Sequence, residues 1–446
     1  MKDGPRSPHR SPRGSLRNPQ LRPASHAHAC NTEGFPRDSL CATYSVWENR
    51  ETRQGRKIAL HIVILPAAGT NPAPEPVFIL AGGPGQAATS MIPLFARNTA
   101  LRARHVLVFV DQRGAGRSNP LHCDFYRVAA GAFPIDAVRA CRERLSRIAD
   151  LARYTTAPAM DDLDDVRRWL GHKKITLWGA SYGTTAAQVY LRRHPETVRA
   201  AVLIGVMPVD ELLPLNVAAT GQRVIDMIFA RGAFPDLPGD LRRVMDRVRK
   251  GVDVEVNGVR VRPSPVHVAE GIRHSLYGDD GRTLPALIHR AAAGDFAPLL
   301  ERTIAAEVNI EHGLAMGLNL SVTCAENVPY IDDVTLARET RNTFLGDLRV
   351  QEQRAACREW VRGPVPADVH ELPRSDVPVL LLSGNLDPAT PPSFAERVAS
   401  RLPNSRHIVF PEASHGNLGA CGTRIWTEFI ESGEVRNLNT GCLAPH

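Results

Sequence analysis

Residues 174–184 read KITLWGASYGT. A short apolar run ends in Gly179-Ala180-Ser181-Tyr182-Gly183, and residues 182–194 then continue with helical periodicity. The pattern predicts a strand over 174–180, a tight turn at Ser181 and a helix over 182–194. Working outward, residues 198–207 predict another strand, and 160–170 (MDDLDDVRRWL) predict a helix with Leu163, Val166 and Leu170 on one face and acidic residues in its first turn. Upstream, 56–65, 76–81 (PVFILA) and 105–111 (HVLVFVD) are β-rich runs, the last two ending at glycine-rich turns. Strand and helix alternate, which is the signature of right-handed βαβ units and a mostly parallel sheet covered on both faces.

The alternation stops at Pro208 and resumes at Pro378 with PVLLLS. The intervening 208–377 is expected to be an inserted cap with helical pieces at 218–231 and 285–307. It also carries a hairpin over 252–262, where Asn257-Gly258 supplies the positive φ angles of a type I′ turn. The core then finishes with strands at 378–383 and 406–410 and helices near 393–401 and 420–432, so the expected partition is a core over 30–207 and 378–446 around the insertion.

With 43% hydrophobic and 23% charged residues, the 446-residue chain has an ordinary globular composition. Of its formal charge of +7, +5 falls in residues 1–30, where Lys2, Arg6, Arg10, Arg13, Arg17 and Arg22 face only Asp3. A basic tail on a nearly neutral body, with no Lys/Arg stripe interleaved with aromatics, argues against nucleic acid as a partner. Residues 1–29 have too little apolar surface to fold and are expected to be disordered. They also lack the apolar core of a secretory signal, and no run elsewhere is long enough to span a membrane.

The eight cysteines contain no C-x-x-C pair, which argues against zinc. They fall into sequential pairs, Cys30 with Cys41, Cys123 with Cys141, Cys324 with Cys357 and Cys421 with Cys442. Eight cysteines allow 105 connectivities, and buried thiols are the alternative to disulfides. Disulfides are favoured, and they point to a periplasmic or secreted protein.

A serine on a strand-turn-helix corner is the arrangement of a nucleophile elbow. Such a serine needs a base and a carboxylate to orient it, in the chain order Ser, Asp/Glu, His. Asp387, in Gly384-Asn385-Leu386-Asp387-Pro388, and His415, in Ala413-Ser414-His415-Gly416-Asn417, each follow a predicted strand at the sheet edge where α/β sites gather. Gly82-Gly83-Pro84-Gly85 follows an earlier strand, so the amides of Gly82 or Gly83 with that of Tyr182 are the candidate oxyanion hole. The turn at 111–118 (DQRGAGRS) lacks the ending of a P-loop and is read as scaffolding.

LAGGPGQAA, VDQRGAGRSNPL, LWGASYGTT, GNLDPATPP and ASHGN, in this order, resemble the α/β-hydrolase family of proline iminopeptidases and tripeptidyl aminopeptidases. The resemblance covers most of residues 30–442, and the cysteine layout is similar to the secreted tripeptidyl aminopeptidase-like branch. It implies an α/β-hydrolase fold with a mostly parallel eight-stranded sheet and a mainly helical cap. Ser181, Asp387 and His415 would then form a triad, the cap would admit a peptide's amino end, and no cofactor or metal would be needed. Glu326, in Thr323-Cys324-Ala325-Glu326-Asn327, matches the family's segment for binding the substrate ammonium. Two positions depart from the relatives: Ala81 stands where proline iminopeptidases commonly have His, and Ile204-Gly205 where Asp-Gly is frequent. A carboxylesterase on the same scaffold is the runner-up, and a non-catalytic binding protein is the reading from another class.

Overall fold

The computed structural model describes residues 27–30, 32–125 and 131–443. Eleven strands occur in chain order among them: β1 His28–Ala29, β2 Leu40–Trp47, β3 Lys57–Leu65, β4 Val77–Leu80, β5 Leu107–Val110, β6 Ile175–Ala180, β7 Val198–Ile204, β8 Val254–Val256, β9 Val259–Val261, β10 Val379–Gly384 and β11 Ser405–Phe410. Nine form one sheet in the order β1-β2-β3-β5-β4-β6-β7-β10-β11. The run from β5 to β11 is parallel throughout, and β1, β2 and β3 join antiparallel. The sheet therefore has nine strands, not the expected eight. The extra one is a two-residue edge strand pairing His28 with Cys41 and Ala29 with Leu40. Residues 27–29 thus leave the expected disordered tail, because Ala27 packs on the core and 28 and 29 complete the edge of β2 beside the Cys30–Cys41 bridge; the rest of that expectation, 1–26, lies outside the described residues.

Alternate residues of the central strands pack on opposite faces. Leu177, Leu203 and Leu381 belong to one buried layer, and Trp178, Val202 and Leu382 to the other. Burial on both sides is why β4, β5 and β10 read as continuous apolar runs instead of alternating ones. Strand β2 was not anticipated: its outward Thr43 and Ser45, and the polar tip of Tyr44 on the packed face, dilute the apolar signal of a strand near the sheet edge.

Between β7 and β10 lie helices and a two-stranded hairpin with a separate apolar centre, including Val224, Leu241, Ile272 and Leu300. The hairpin is as read: Asn257 and Gly258 have φ of 51° and 77° between β8 and β9. The single helix expected over 285–307 is instead two, Leu284–Ala292 and Ala297–His312. Gly294, at φ 113°, ends the first helix in a conformation closed to most side chains. The helix expected from Met160 begins at Thr156, with Pro158 in the first turn, where its missing N–H costs nothing.

All eight cysteines are bridged in the sequential pairs, 30–41, 123–141, 324–357 and 421–442. Denatured protein without reductant should therefore titrate no thiols, and reduction should lower stability by about 2–4 kcal/mol for each bridge lost. A thiol titration followed by reduced and oxidised urea melts checks both; eight free thiols would contradict the pairing.

Candidate active site

The turn after β6 is built by its glycines. A methyl group on Gly179 would lie 2.5 Å from the Gly183 carbonyl oxygen, and one on Gly183 would lie 2.2 Å from that of Leu80. Only glycine at both positions lets helix Tyr182–Arg193 start this close to β6 and β4. Ser181, between them, has φ 55° and ψ −126°, a conformation costing about 1–3 kcal/mol for a residue with a side chain. It is held by its own N–H on the Ile204 carbonyl at 2.9 Å, and its carbonyl accepts from the Thr184 amide at 2.8 Å and hydroxyl at 2.7 Å.

Asp387 and His415 leave the ends of β10 and β11, which pair in parallel register. The buried carboxylate accepts from the Ala389 and Thr390 amides, both at 2.8 Å, and from the Thr390 hydroxyl at 2.6 Å. His415 Nδ1 lies 2.8 Å from Asp387 Oδ2. Burial by itself would raise the Asp387 carboxyl, but the charge and hydrogen bond of His415, together with those from Thr390, hold it below the usual carboxylate range. The Tyr277 ring meets the imidazole edge-on at 4.8 Å. With Nδ1 on the carboxylate, Nε2 is the nitrogen left for the serine. Gly205 explains why the end of β7 carries no side chain: a methyl group there would sit 3.3 Å from His415 Cε1 and 3.0 Å from Thr390 Oγ1.

Ser181, His415, Gly82, Gly83 and Tyr182 all line one cavity of about 360 Å³. No Ser181–His415 hydrogen bond forms among the described residues. The two glycines of the expected oxyanion loop differ. The Gly82 N–H donates to Gln86 Oε1 at 3.1 Å, whereas Gly83 and Tyr182 make no such bond among the described residues, which leaves their amides as the available pair.

Glu326 does not line this cavity. It faces a small recess behind Tyr182, with His370 and Thr185. Its carboxylate accepts the Thr156 amide at 2.6 Å and hydroxyl at 2.8 Å, and that hydroxyl also meets Tyr182 Oη at 2.8 Å. Away from the cavity, Glu326 instead sits at the first turn of helix Thr156–Trp169, whose Thr156 N–H it satisfies. Burial pushes its carboxyl up to about 7 despite those bonds.

The acidic groups that do line the cavity are Glu270 and Glu307. Glu270 receives Arg273 at 2.7 Å, and Glu307 is bonded to His274 Nδ1 at 2.5 Å. Burial opposes ionisation of Glu270, but Arg273, then Arg349 and His274, outweigh it and keep the carboxyl well below its ordinary range. Sequence reasoning missed these residues. Their signal was a polar stripe, His267, Glu270, Arg273 and His274, on the otherwise apolar helix Pro265–Ser275. Glu270, His274 and Glu307 also bring three potential metal ligands within 4.8 Å of one another, but Glu270 Oε2 is already taken by Arg273 and Glu307 Oε1 by His274 Nδ1.

The fold and this sheet-edge arrangement define the class of α/β-hydrolase-fold proteins. Residues 75–235 match the α/β-hydrolase fold family and residues 343–442 the TAP-like protein family. A probable proline iminopeptidase of Streptomyces coelicolor is 33% identical over 136 residues, 30% of this chain and 34% of that one. Proline iminopeptidase of Neisseria gonorrhoeae is 32% identical over the same shares, and the putative hydrolase YuaR of Escherichia coli is 30% identical over 145 residues, 30% of this chain and 29% of that one. The matches span about a third of the length of these relatives. The chain thus has the α/β-hydrolase fold, and its two matched segments are similar to the α/β-hydrolase fold family and to the TAP-like protein family.

The raised Glu326 carboxyl makes a stability prediction. Its folded value of about 7 lies above the unfolded value near 4.5, so its contribution is fully present below about pH 4.5 and is lost as pH rises through about 7. Glu326→Gln should be more stable than wild type at pH 8 by on the order of a few kcal/mol, with the difference shrinking toward pH 5. Urea melts at the two pH values measure it; a constant difference would contradict the assignment.

Proposed function

We propose that the chain is a serine hydrolase and, more narrowly, an aminopeptidase acting on peptides with a free amino terminus. The observation that carries this reading is the shared cavity: Ser181, on its strained turn, borders the same space as His415, whose Nδ1 is fixed by buried Asp387, and as the buried anion Glu270. In this reading His415 Nε2 takes the Ser181 hydroxyl proton as Oγ attacks the scissile carbonyl. The Gly83 and Tyr182 amides receive the developing oxyanion. His415 then protonates the leaving amine, and water resolves the acyl-enzyme by the same proton route. Asp387 keeps the imidazole in the tautomer that presents Nε2 to the serine.

Glu270, with Glu307 beside it, is the anion for the substrate ammonium, a role moved here from Glu326. Residues 208–377 act as the cap that carries these groups over the sheet edge. The family relatives are named for proline, but Ala81 departs from the histidine common in them, so the reading stops at a free amine and does not extend to proline. The four disulfides support an oxidising compartment, periplasmic or extracellular, and no helix among the described residues is long and apolar enough to cross a membrane.

Chromogenic amides with a free amine, the same compounds acylated, and short-chain acyl esters test the reading. Free-amine amides should turn over, acylation should abolish the reaction, and Ser181→Ala should lower kcat by about 10⁴-fold or more. Turnover of esters alone would establish the carboxylesterase instead, and absence of any Ser181-dependent turnover would leave a binding protein.

Glu270→Gln should raise KM for free-amine substrates by about 10–100-fold while leaving ester turnover near wild type, the scale of a hydrogen bond to a charged group. Because Glu270 stays ionised across the working range, the preference for free over acylated amines should persist at low pH. It should fade only above about pH 8, where a peptide α-ammonium deprotonates. A preference that disappears instead near pH 4–5 would contradict the role given to Glu270.

A further inference from the structure

Arg349 borders the Ser181 cavity from the start of helix Leu348–Glu359. Its half-buried guanidinium makes no hydrogen bond or ion pair among the described residues. It rests on the Phe133 ring, 4.7 Å from the centroid, a contact that holds the cation without taking its N–H donors. Glu352, one turn along the same helix, accepts the Ala132 amide at 2.6 Å instead of pairing with it. The other charged groups on this wall come from helices Pro265–Ser275 and Ala297–His312. Glu270 pairs with Arg273 at 2.7 Å. His274 Nε2 meets Arg273 Nη2, which can only donate, so Nε2 accepts and the ring proton sits on Nδ1, 2.5 Å from Glu307 Oε1. This histidine is therefore neutral, and burial pushes His267 toward its neutral form as well. Glu270 and Arg273 cancel, which leaves Glu307 as an unmatched anion and Arg349 as an unmatched cation.

A charge held in a partly buried cleft is poorly screened and draws a counter-charge. In the reading above, the substrate ammonium answers the two glutamates but leaves Arg349 facing a second cation. A carboxylate that arrives together with the ammonium answers both. The α-carboxyl groups at the amino end of a peptide are spent in amide bonds, and the peptide's own C-terminus lies on the leaving-group side of Ser181. The carboxylate that accompanies the ammonium is therefore an acidic side chain. We infer that Arg349 binds the side-chain carboxylate of an N-terminal aspartate or glutamate and so is a specificity-determining residue for peptides with an acidic first residue. The inference rests on the aminopeptidase reading and adds to it the side chain that is read. A guanidinium suits the task, because its forked N–H groups match both carboxylate oxygens. Its place suits it too: Arg349 acts on Glu270 through its charge without forming an ion pair with it, and both border the same space. An ammonium and a side-chain carboxylate that branch from one Cα need two such neighbouring partners of opposite sign.

The test uses the full chain and free-amine p-nitroanilides in pairs that differ only in side-chain charge. Glutamyl is compared with glutaminyl and aspartyl with asparaginyl, both as single residues and as the first residue of tripeptides whose other residues are alanine. These substrates have no C-terminal carboxylate, so the side chain is the only anion they offer. The wild type should favour the acidic member by about 10–100-fold in kcat/KM, the scale of a hydrogen bond between charged groups. The difference should lie in KM and shrink as salt is raised. In Arg349→Met the acidic-to-neutral ratio should fall to about one or below, and Arg349→Lys should keep part of it, since the charge remains but the fork is lost. Equal turnover of the two members by the wild type, or a preference for the neutral one, would overturn the inference without needing any variant to fold. An acidic preference that survives undiminished in Arg349→Met would assign the carboxylate to another cation and overturn it as well. If no free-amine amide shows Ser181-dependent turnover, the aminopeptidase reading falls and this inference with it, an outcome distinct from equal turnover.

Discussion

The close approach of helix Tyr182–Arg193 to the ends of β4 and β6 is the constraint on which the remainder of the site depends. A methyl group on Gly183 would overlap the Leu80 carbonyl, so glycine there lets the helix start directly over the sheet edge. That start forces Ser181 into a positive φ and brings the Tyr182 amide beside the loop that follows β4. The strain is borne by a surrounding network: the Ser181 N–H on β7, Thr184 on its carbonyl, and Gln188 and Thr185 on the Met207 carbonyl just beyond β7. Relaxing the turn would therefore disturb the serine, the Tyr182 amide proposed as an oxyanion donor and the β6–β7 edge together.

The same edge explains why the site assembles from residues far apart in sequence. Parallel strands all point their carboxyl ends one way, so the loops after β4, β6, β7, β10 and β11 converge whatever the length of chain between them. Asp387 and His415 meet because β10 and β11 are neighbours in register, and Gly205 leaves room for both. The hydrogen bonds to Asp387 from Ala389 and Thr390 are local to its own turn, so they hold the carboxylate independently of the histidine.

What was legible in the sequence follows this division. Ser181, Asp387 and His415 stand next to short apolar runs, and a strand followed by a polar turn is a local signal that periodicity can read. The edge strands were less legible, since β1 is two residues long and β2 alternates around polar residues. The residues between β7 and β10 were least legible, because their helices pack on one another and on the core through contacts distant in sequence. Gly294 divides what periodicity reads as one helix, and the polar stripe on Pro265–Ser275 reads as an exposed face until the cavity beneath it is seen.

Glu326 and Glu270 show why a motif match identifies a carboxylate but not its partner. Both are buried glutamates on helices packed near Tyr182 or Ser181, and both carry oxygens that need donors. Glu326 ends its own helix, where the macrodipole disfavours an anion, and finds compensation in the first amide of helix Thr156–Trp169. Two donors from one threonine do not offset full burial, so the group moves toward its neutral form. Glu270 faces a guanidinium, and a full charge stabilises its ionised form where dipoles alone do not. A substrate cation is drawn to a group that stays charged, and one oxygen of Glu270 is still without a donor beside the cavity. In the proposed reading, ammonium binding therefore follows the compensating charge, not the position of the glutamate in the motif.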